Sequence, residues 1–127
     1  MKLDKYQFYC PDCSQCLDDK NEIHLKYRRS NGDSGDVYLS TTLGNYKKRL
    51  IPNVEFKDKE LIDFICPHCN STIHSSDKEN YVHLIMRVEN KFDFEILFSR
   101  VAGEQKTYLV TEDGVECYGE NCEASIY

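Results

Sequence analysis

The stretch Phe64-Ile-Cys-Pro-His-Cys69 has a near copy 56 positions upstream, Phe8-Tyr-Cys-Pro-Asp-Cys13. Each consists of an apolar pair followed by Cys-Pro-x-Cys. Two thiols three positions apart on a tight turn can bind one metal ion, and a second such turn completes a tetrahedron of sulfurs. The sequence therefore predicts one metal site, with the ligands Cys10, Cys13, Cys66 and Cys69.

The chemistry of these turns favours thiolate ligands. The proline restricts one backbone torsion and removes an amide that would need a partner. The remaining amides can donate hydrogen bonds to sulfur, which lowers a thiol pKa from about 8.5. Zinc, which accepts four ligands at about 2.3 Å from sulfur, is the predicted ion. Iron is the alternative metal, and a pair of disulfides or free buried thiols is the alternative without a metal.

The repeated Cys-Pro-x-Cys motif resembles the knuckles of zinc-ribbon and rubredoxin proteins, in which two such turns bind one metal. The resemblance covers residues 8–16 and 64–70 and implies a type of site rather than a function for the whole chain. Zinc ribbons usually separate their two turns by about 15–20 residues. Here more than fifty residues lie between them.

The long separation between the turns coincides with an internal repeat. A shift of 56 superimposes the two turns, and a shift of 59 then pairs eight identical residues, among them His24 with His83, Arg28 with Arg87 and Leu50 with Leu109. We interpret this as a duplication, with repeats at about 8–55 and 64–111. The whole chain, 1–127, is predicted to be a single zinc-binding domain.

Each repeat is predicted to be a knuckle followed by a β-hairpin. Residues 22–29 alternate apolar and polar side chains, a turn signal follows at 31–35, and 36–43 form the returning strand. The second copy predicts strands at 81–89 and 92–101, followed by strands at 106–111 and 115–118. Residues 57–64 could form one helical turn or a short strand. The expected class is mainly β. We expect a small antiparallel domain whose two repeats are cross-linked by the metal site.

Composition places the chain among ordinary globular proteins. Of its 127 residues, 40% are hydrophobic and 30% are charged. No apolar run reaches the length of a membrane span, and residues 1–7 lack the apolar stretch of a signal peptide. We therefore expect a cytoplasmic protein with no membrane association. In that reducing compartment, seven cysteines favour metal binding over disulfides.

Charge bears on the choice of partner. The net charge of −6 opposes nonspecific binding to nucleic acid. However, Tyr27, Tyr38 and Tyr46 lie near a basic run at 47–49, and aromatic side chains among cations can bind single strands. Another protein is the expected partner and nucleic acid is the alternative.

Three cysteines lie outside the four-thiol set. Cys16 extends the first knuckle, but its counterpart in the second repeat is Thr72, so we expect an ordinary thiol. Cys117 and Cys122 are interpreted as two unpaired thiols. The alternatives are that Cys16 is a substitute metal ligand or a cluster ligand, or that these three cysteines share a second metal site.

Four histidines and two arginines are further candidates. His24 with Arg28, and His83 with Arg87, share strand faces and could form an anion-binding patch, although solvent-facing positions inherited by duplication are the simpler explanation. His68, inside the second knuckle, is expected to donate to the sulfurs rather than to bind the metal. His74 lies just beyond this knuckle.

The predicted function is non-enzymatic. A site closed by four thiolates leaves no position for water or substrate, and the chain lacks a phosphate loop, a nucleophile elbow and a His-Glu-x-x-His motif. We expect a structural zinc site that supports a protein-interaction or regulatory module. The alternatives are a rubredoxin-like one-iron electron carrier, a nucleic-acid-binding zinc ribbon and, more remotely, an enzyme with a partly open metal site.

Overall fold

The computed structural model describes residues 6–89 and 91–122, and these form ten β-strands. The strands are Tyr6–Tyr9 (β1), Asp18–Asp19 (β2), Glu22–Arg28 (β3), Ser34–Ser40 (β4), Lys48–Ile51 (β5), Asp63–Ile65 (β6), Tyr81–Val88 (β7), Phe92–Ser99 (β8), Thr107–Thr111 (β9) and Gly114–Tyr118 (β10). Within those two ranges there is no helix, and hence none that could cross a membrane. The predicted mainly β class is confirmed.

The strands form two antiparallel sheets. The first has the order β2-β3-β4-β5, with β6 also paired to β3, and the second has the order β1-β7-β8-β9-β10. Alternating residues of β3 and β7, such as Leu25 and Leu84, are fully buried, as expected for strands with one face in a core. Most buried residues of the two sheets belong to one hydrophobic cluster, so the sheets pack face to face. Tyr81, Leu97 and Tyr108 of the second sheet form a smaller cluster.

Each knuckle is attached to the hairpin of the other half of the chain. β1, which leads into the first Cys-Pro-x-Cys turn, pairs with β7, and β6, which leads into the second turn, pairs with β3. The sequence pattern did not predict this exchange, because pairing between distant segments leaves no local signal. As a result, the first pair of cysteines follows a strand of the sheet that contains the second hairpin, and the second pair follows a strand of the sheet that contains the first hairpin.

The pairing registers of the two halves correspond. Ile23 pairs with Leu39, and the pair 59 positions later is Val82 with Phe98. Across the halves, Phe8 pairs with Met86, and in the equivalent position Phe64 pairs with Tyr27. The structure thus places the two halves in equivalent environments, although each uses a strand from the other.

The predicted strands agree with the structure apart from their ends and three omissions. Both hairpins form, β10 lies at the predicted position, and β6 is the short strand considered for 57–64. β1, β2 and β5 were not predicted, although β5 is the counterpart of β9. β1 and β5 are four residues long and β2 is two, too short for a clear alternation of apolar and polar side chains.

A buried arginine fixes β6 against the second sheet. The Arg100 guanidinium donates to the carbonyl oxygens of Ile62 at 3.0 Å and Glu79 at 2.6 Å, and to the Asp63 carboxylate at 2.7 Å. A buried charge is tolerated when its donors are satisfied in this way. Arg100 therefore helps to position the strand that leads into the second knuckle.

Candidate metal centre

The four predicted ligands lie together. The sulfur atoms of Cys10, Cys13, Cys66 and Cys69 are all within 4.8 Å of one another. Cys10 Sγ is 3.9 Å from Cys69 Sγ, and Cys13 Sγ is 3.7 Å from Cys66 Sγ. The structure therefore brings together two thiols from each turn, as the spacing predicted.

These distances fit a tetrahedral ion. Four sulfurs at about 2.3 Å from a central zinc lie about 3.8 Å from each other. The Cys10–Cys69 and Cys13–Cys66 sulfur separations fall on either side of that value. The donor set thus suits a thiophilic ion such as zinc or iron, and the geometry does not distinguish between the two.

Equivalent backbone hydrogen bonds hold the two turns. The Cys10 amide donates to the Gln15 carbonyl, and the Cys66 amide to the Ser71 carbonyl, both at 3.0 Å. Ser14 and Asn70 each lie four residues after the first cysteine of a knuckle. Their φ angles are positive, 62° for Ser14 and 61° for Asn70, a conformation common in tight turns. The chain therefore reverses in the same way in both copies.

Backbone amides also point at the sulfurs. Asp12 and Cys13 donate to Cys10 Sγ at 3.4 and 3.5 Å, and His68 donates to Cys66 Sγ at 3.4 Å. Such donors stabilise thiolates because they favour the charged form. The predicted amide donors are present, but burial outweighs them, so the pKa values of Cys10 and Cys66 are not lowered overall.

The thiols differ in their readiness to ionise. Burial raises the pKa of Cys10 to about 12 and raises that of Cys66. In contrast, a hydrogen bond from the Ser71 hydroxyl, 3.1 Å from the sulfur, lowers the pKa of exposed Cys69 to about 7. Sequence reasoning did not single out Ser71, whose only signal is its place two residues after a ligand. The buried thiols hold their protons until a cation displaces them.

His68 and Cys16 lie beside the centre but outside it. The imidazole Nε2 of His68 is 3.1 Å from the Cys16 carbonyl oxygen, so only its backbone amide contacts a sulfur. His68 is outside the four-cysteine cluster and donates to a sulfur as predicted, although it does so through its backbone amide. Cys16 is a free, half-buried thiol, as expected.

The prediction of two unpaired thiols near the carboxyl end is wrong. Cys117 and Cys122 form a disulfide, with their Cα atoms 6.0 Å apart, a separation typical of such bonds. The chain turns back after β10 at Gly119, whose φ is 116°. The sequence argument assumed a reducing compartment and so discounted this local pair. The described residues hold a single cluster of possible metal ligands, so these cysteines do not form a second site with Cys16.

The anion-binding patch considered as an alternative for the paired histidines and arginines does not form, because these cations already have carboxylate neighbours and lie on different sheets. The Arg28 guanidinium lies 3.0 Å from the Asp63 carboxylate, and the Arg87 guanidinium lies 2.8 Å from the Asp93 carboxylate. The His24 imidazole lies 2.8 Å from the Asp36 carboxylate, and the His83 imidazole lies 3.4 Å from the Glu95 carboxylate.

His74 is half-buried, and burial lowers its pKa.

The three tyrosines do not form one surface. Tyr27 is buried in the core against Phe56, and the Tyr46 hydroxyl is bonded to the Thr107 hydroxyl and the Tyr118 carbonyl. Only Tyr38 remains among cations, with Arg49 over its ring at 4.2 Å. The residues near the basic run therefore do not offer a row of stacking rings.

Thiol counting tests these assignments. Metal-stripped protein, denatured without reductant, should react with five equivalents of a thiol reagent, because five cysteines are free. After reduction it should react with seven. Seven without reductant would contradict the disulfide, whereas three or fewer would contradict the four-thiol cluster.

No family model, curated protein or solved structure matches this chain in comparisons with each, so its function is argued from the geometry of the centre.

Proposed function

We propose that the protein binds one Zn²⁺ through Cys10, Cys13, Cys66 and Cys69, and that this ion is structural. The observation that carries the proposal is the convergence of four sulfurs, two from each turn, at tetrahedral spacing. Four protein ligands fill the coordination sphere of zinc, which leaves no position for water or substrate. The protein accordingly acts by binding rather than by catalysis.

In this proposal the ion connects the two sheets. One turn follows β1 in the second sheet, and the other follows β6 on the first. The corresponding registers of the two hairpins support their origin as a duplicated unit. An ion held between the copies joins segments more than fifty residues apart, so it contributes stability that neither half has alone.

The proposed partner is another protein. Phe92 is 55% exposed and its ring stacks parallel to that of Phe94 at 6.5 Å. Exposed aromatic side chains are enriched where proteins meet. The acidic net charge supports a protein partner over nucleic acid.

The test compares loaded and stripped protein. Protein purified without added metal should contain one zinc per chain, and a strong chelator should abolish its cooperative thermal transition. Unchanged melting in verified metal-free protein would contradict the structural role. A red protein with one iron and a visible thiolate-to-iron absorption band would show that the bound metal is iron rather than zinc.

Metal loading should release protons. Burial raises the pKa values of Cys10 and Cys66, so both thiols are protonated at neutral pH before the ion binds. Adding zinc to stripped protein in weak buffer near pH 7 should therefore liberate at least about two protons per ion. The affinity should fall as the pH is lowered, because protons then compete for the sulfurs. Release of less than one proton would show that these thiols are not ligands.

A further inference from the structure

A cavity of about 210 Å³ opens between the sheets, away from any metal ligand. Its rim consists of two loops, residues 40–48 and 99–107, which occupy corresponding positions in the two halves. Its inner wall includes Phe8 and Phe64, each two residues before a knuckle's first cysteine. The cavity therefore lies where the two halves meet.

The wall of this cavity is apolar. Phe8, Ile23, Phe64, Leu84 and Ile96 are buried side chains that line it. Arg100 also lines it, but its guanidinium is already occupied by two carbonyls and the Asp63 carboxylate. A ligand group that enters the cavity thus meets hydrocarbon and aromatic surface.

The cavity is a cleft that is open at its rim rather than an enclosed void. Concave sites with mostly apolar walls and a few polar groups are typical of small-molecule binding. An apolar cavity of about 150 Å³ is large enough to hold benzene. The present one has room for an aromatic group of one or two rings.

The rim carries positive charge. Lys47 and Lys48 are exposed there, and within the described ranges no carboxylate lies at ion-pair distance from either ammonium. The nearby Glu104 carboxylate accepts a hydrogen bond from the Ser99 hydroxyl at 2.7 Å and lies 4.0 Å from Lys106. An anionic group at the rim would therefore find two cations without a carboxylate partner, although the Lys48 ammonium also lies over the Phe56 ring, 5.8 Å from its centroid.

We propose that this cavity binds a small aromatic carboxylate, with its ring between the sheets and its carboxylate beside Lys47 and Lys48. The site is distinct from the metal centre and does not depend on the structural role proposed for zinc. It adds a small-molecule ligand to a protein otherwise assigned to macromolecular binding.

Calorimetric titration of the metal-loaded full chain with 1-naphthoate tests the proposal, with 1-naphthamide as the neutral analogue. One naphthoate should bind per chain and more tightly than the amide. Ala102→Phe, which enlarges a side chain that lines the rim, should weaken both ligands at least about tenfold. Val115→Phe adds the same ring at an exposed site on β10 and should change neither.

A double variant tests the charge. Lys47→Gln with Lys48→Gln should weaken naphthoate about three- to tenfold and leave the amide unchanged. Lys20→Gln with Lys26→Gln, at exposed positions away from the rim, should have no effect. If Ala102→Phe fails to fold, methyl resonances of Leu84 and Ile96 should still shift with naphthoate in the unmodified protein.

Three outcomes would overturn the proposal. One is the absence of binding at millimolar naphthoate, and another is binding that leaves those methyl resonances unchanged. The third is equal affinity for acid and amide, which would refute the carboxylate specificity.

Discussion

Replacing Cys10 with serine is expected to leave the protein without its metal ion and unfolded at about 25 °C. Serine retains its proton at neutral pH and is a poor zinc ligand, so three thiolates remain. Structural zinc contributes on the order of 10 kcal/mol in small metal-binding peptides, whereas a whole domain has a net stability of about 5–15 kcal/mol. Elemental analysis and circular dichroism measure the two effects.

Cys16→Ser is the matched control for that substitution. Cys16 follows the same turn but is a free thiol outside the four-sulfur cluster. This variant should keep one metal ion per chain and melt close to the unmodified protein. Full metal content and normal melting in Cys10→Ser would show that the cluster is not the source of stability.

The Phe8→Ala variant is expected to lose about 3–5 kcal/mol of unfolding free energy. Phe8 is 1% exposed, lies in β1 directly before the first knuckle, and packs edge-to-face on Tyr6 at 5.7 Å. Its removal leaves a void beside an existing cavity. Urea unfolding at a constant excess of zinc measures the change while keeping the contribution of metal binding fixed.

Phe92→Ala serves as the control for this truncation, because Phe92 is 55% exposed. Its effect should stay within about 0.5 kcal/mol. A loss below about 1 kcal/mol in Phe8→Ala would contradict the packing of β1 against the core.

The convergence of the four cysteines could be predicted because their signal is local and chemical. The sequence contains Cys-Pro-x-Cys twice with similar flanks, and only such short spacing presents two thiols to one ion. The two hairpins were predictable for a similar reason, since β3 and β7 alternate buried side chains with more accessible ones.

Long-range and context-dependent features were not predictable in this way. The attachment of each knuckle to the other half depends on pairings such as Phe8 with Met86, and single strands carry no mark of a distant partner. The Cys117–Cys122 disulfide was missed because an assumption about the compartment outweighed a short spacing. The sequence left open the alternative of an anion-binding patch, because Asp63 and Asp93 come close to Arg28 and Arg87 only in the folded protein.

X-ray absorption at the zinc edge, recorded on protein purified without added metal, tests the central claim most directly. It should show four sulfur neighbours at about 2.3 Å from a single zinc. A first shell that contains nitrogen or oxygen, or the absence of zinc from the four-cysteine cluster, would contradict a closed structural zinc site.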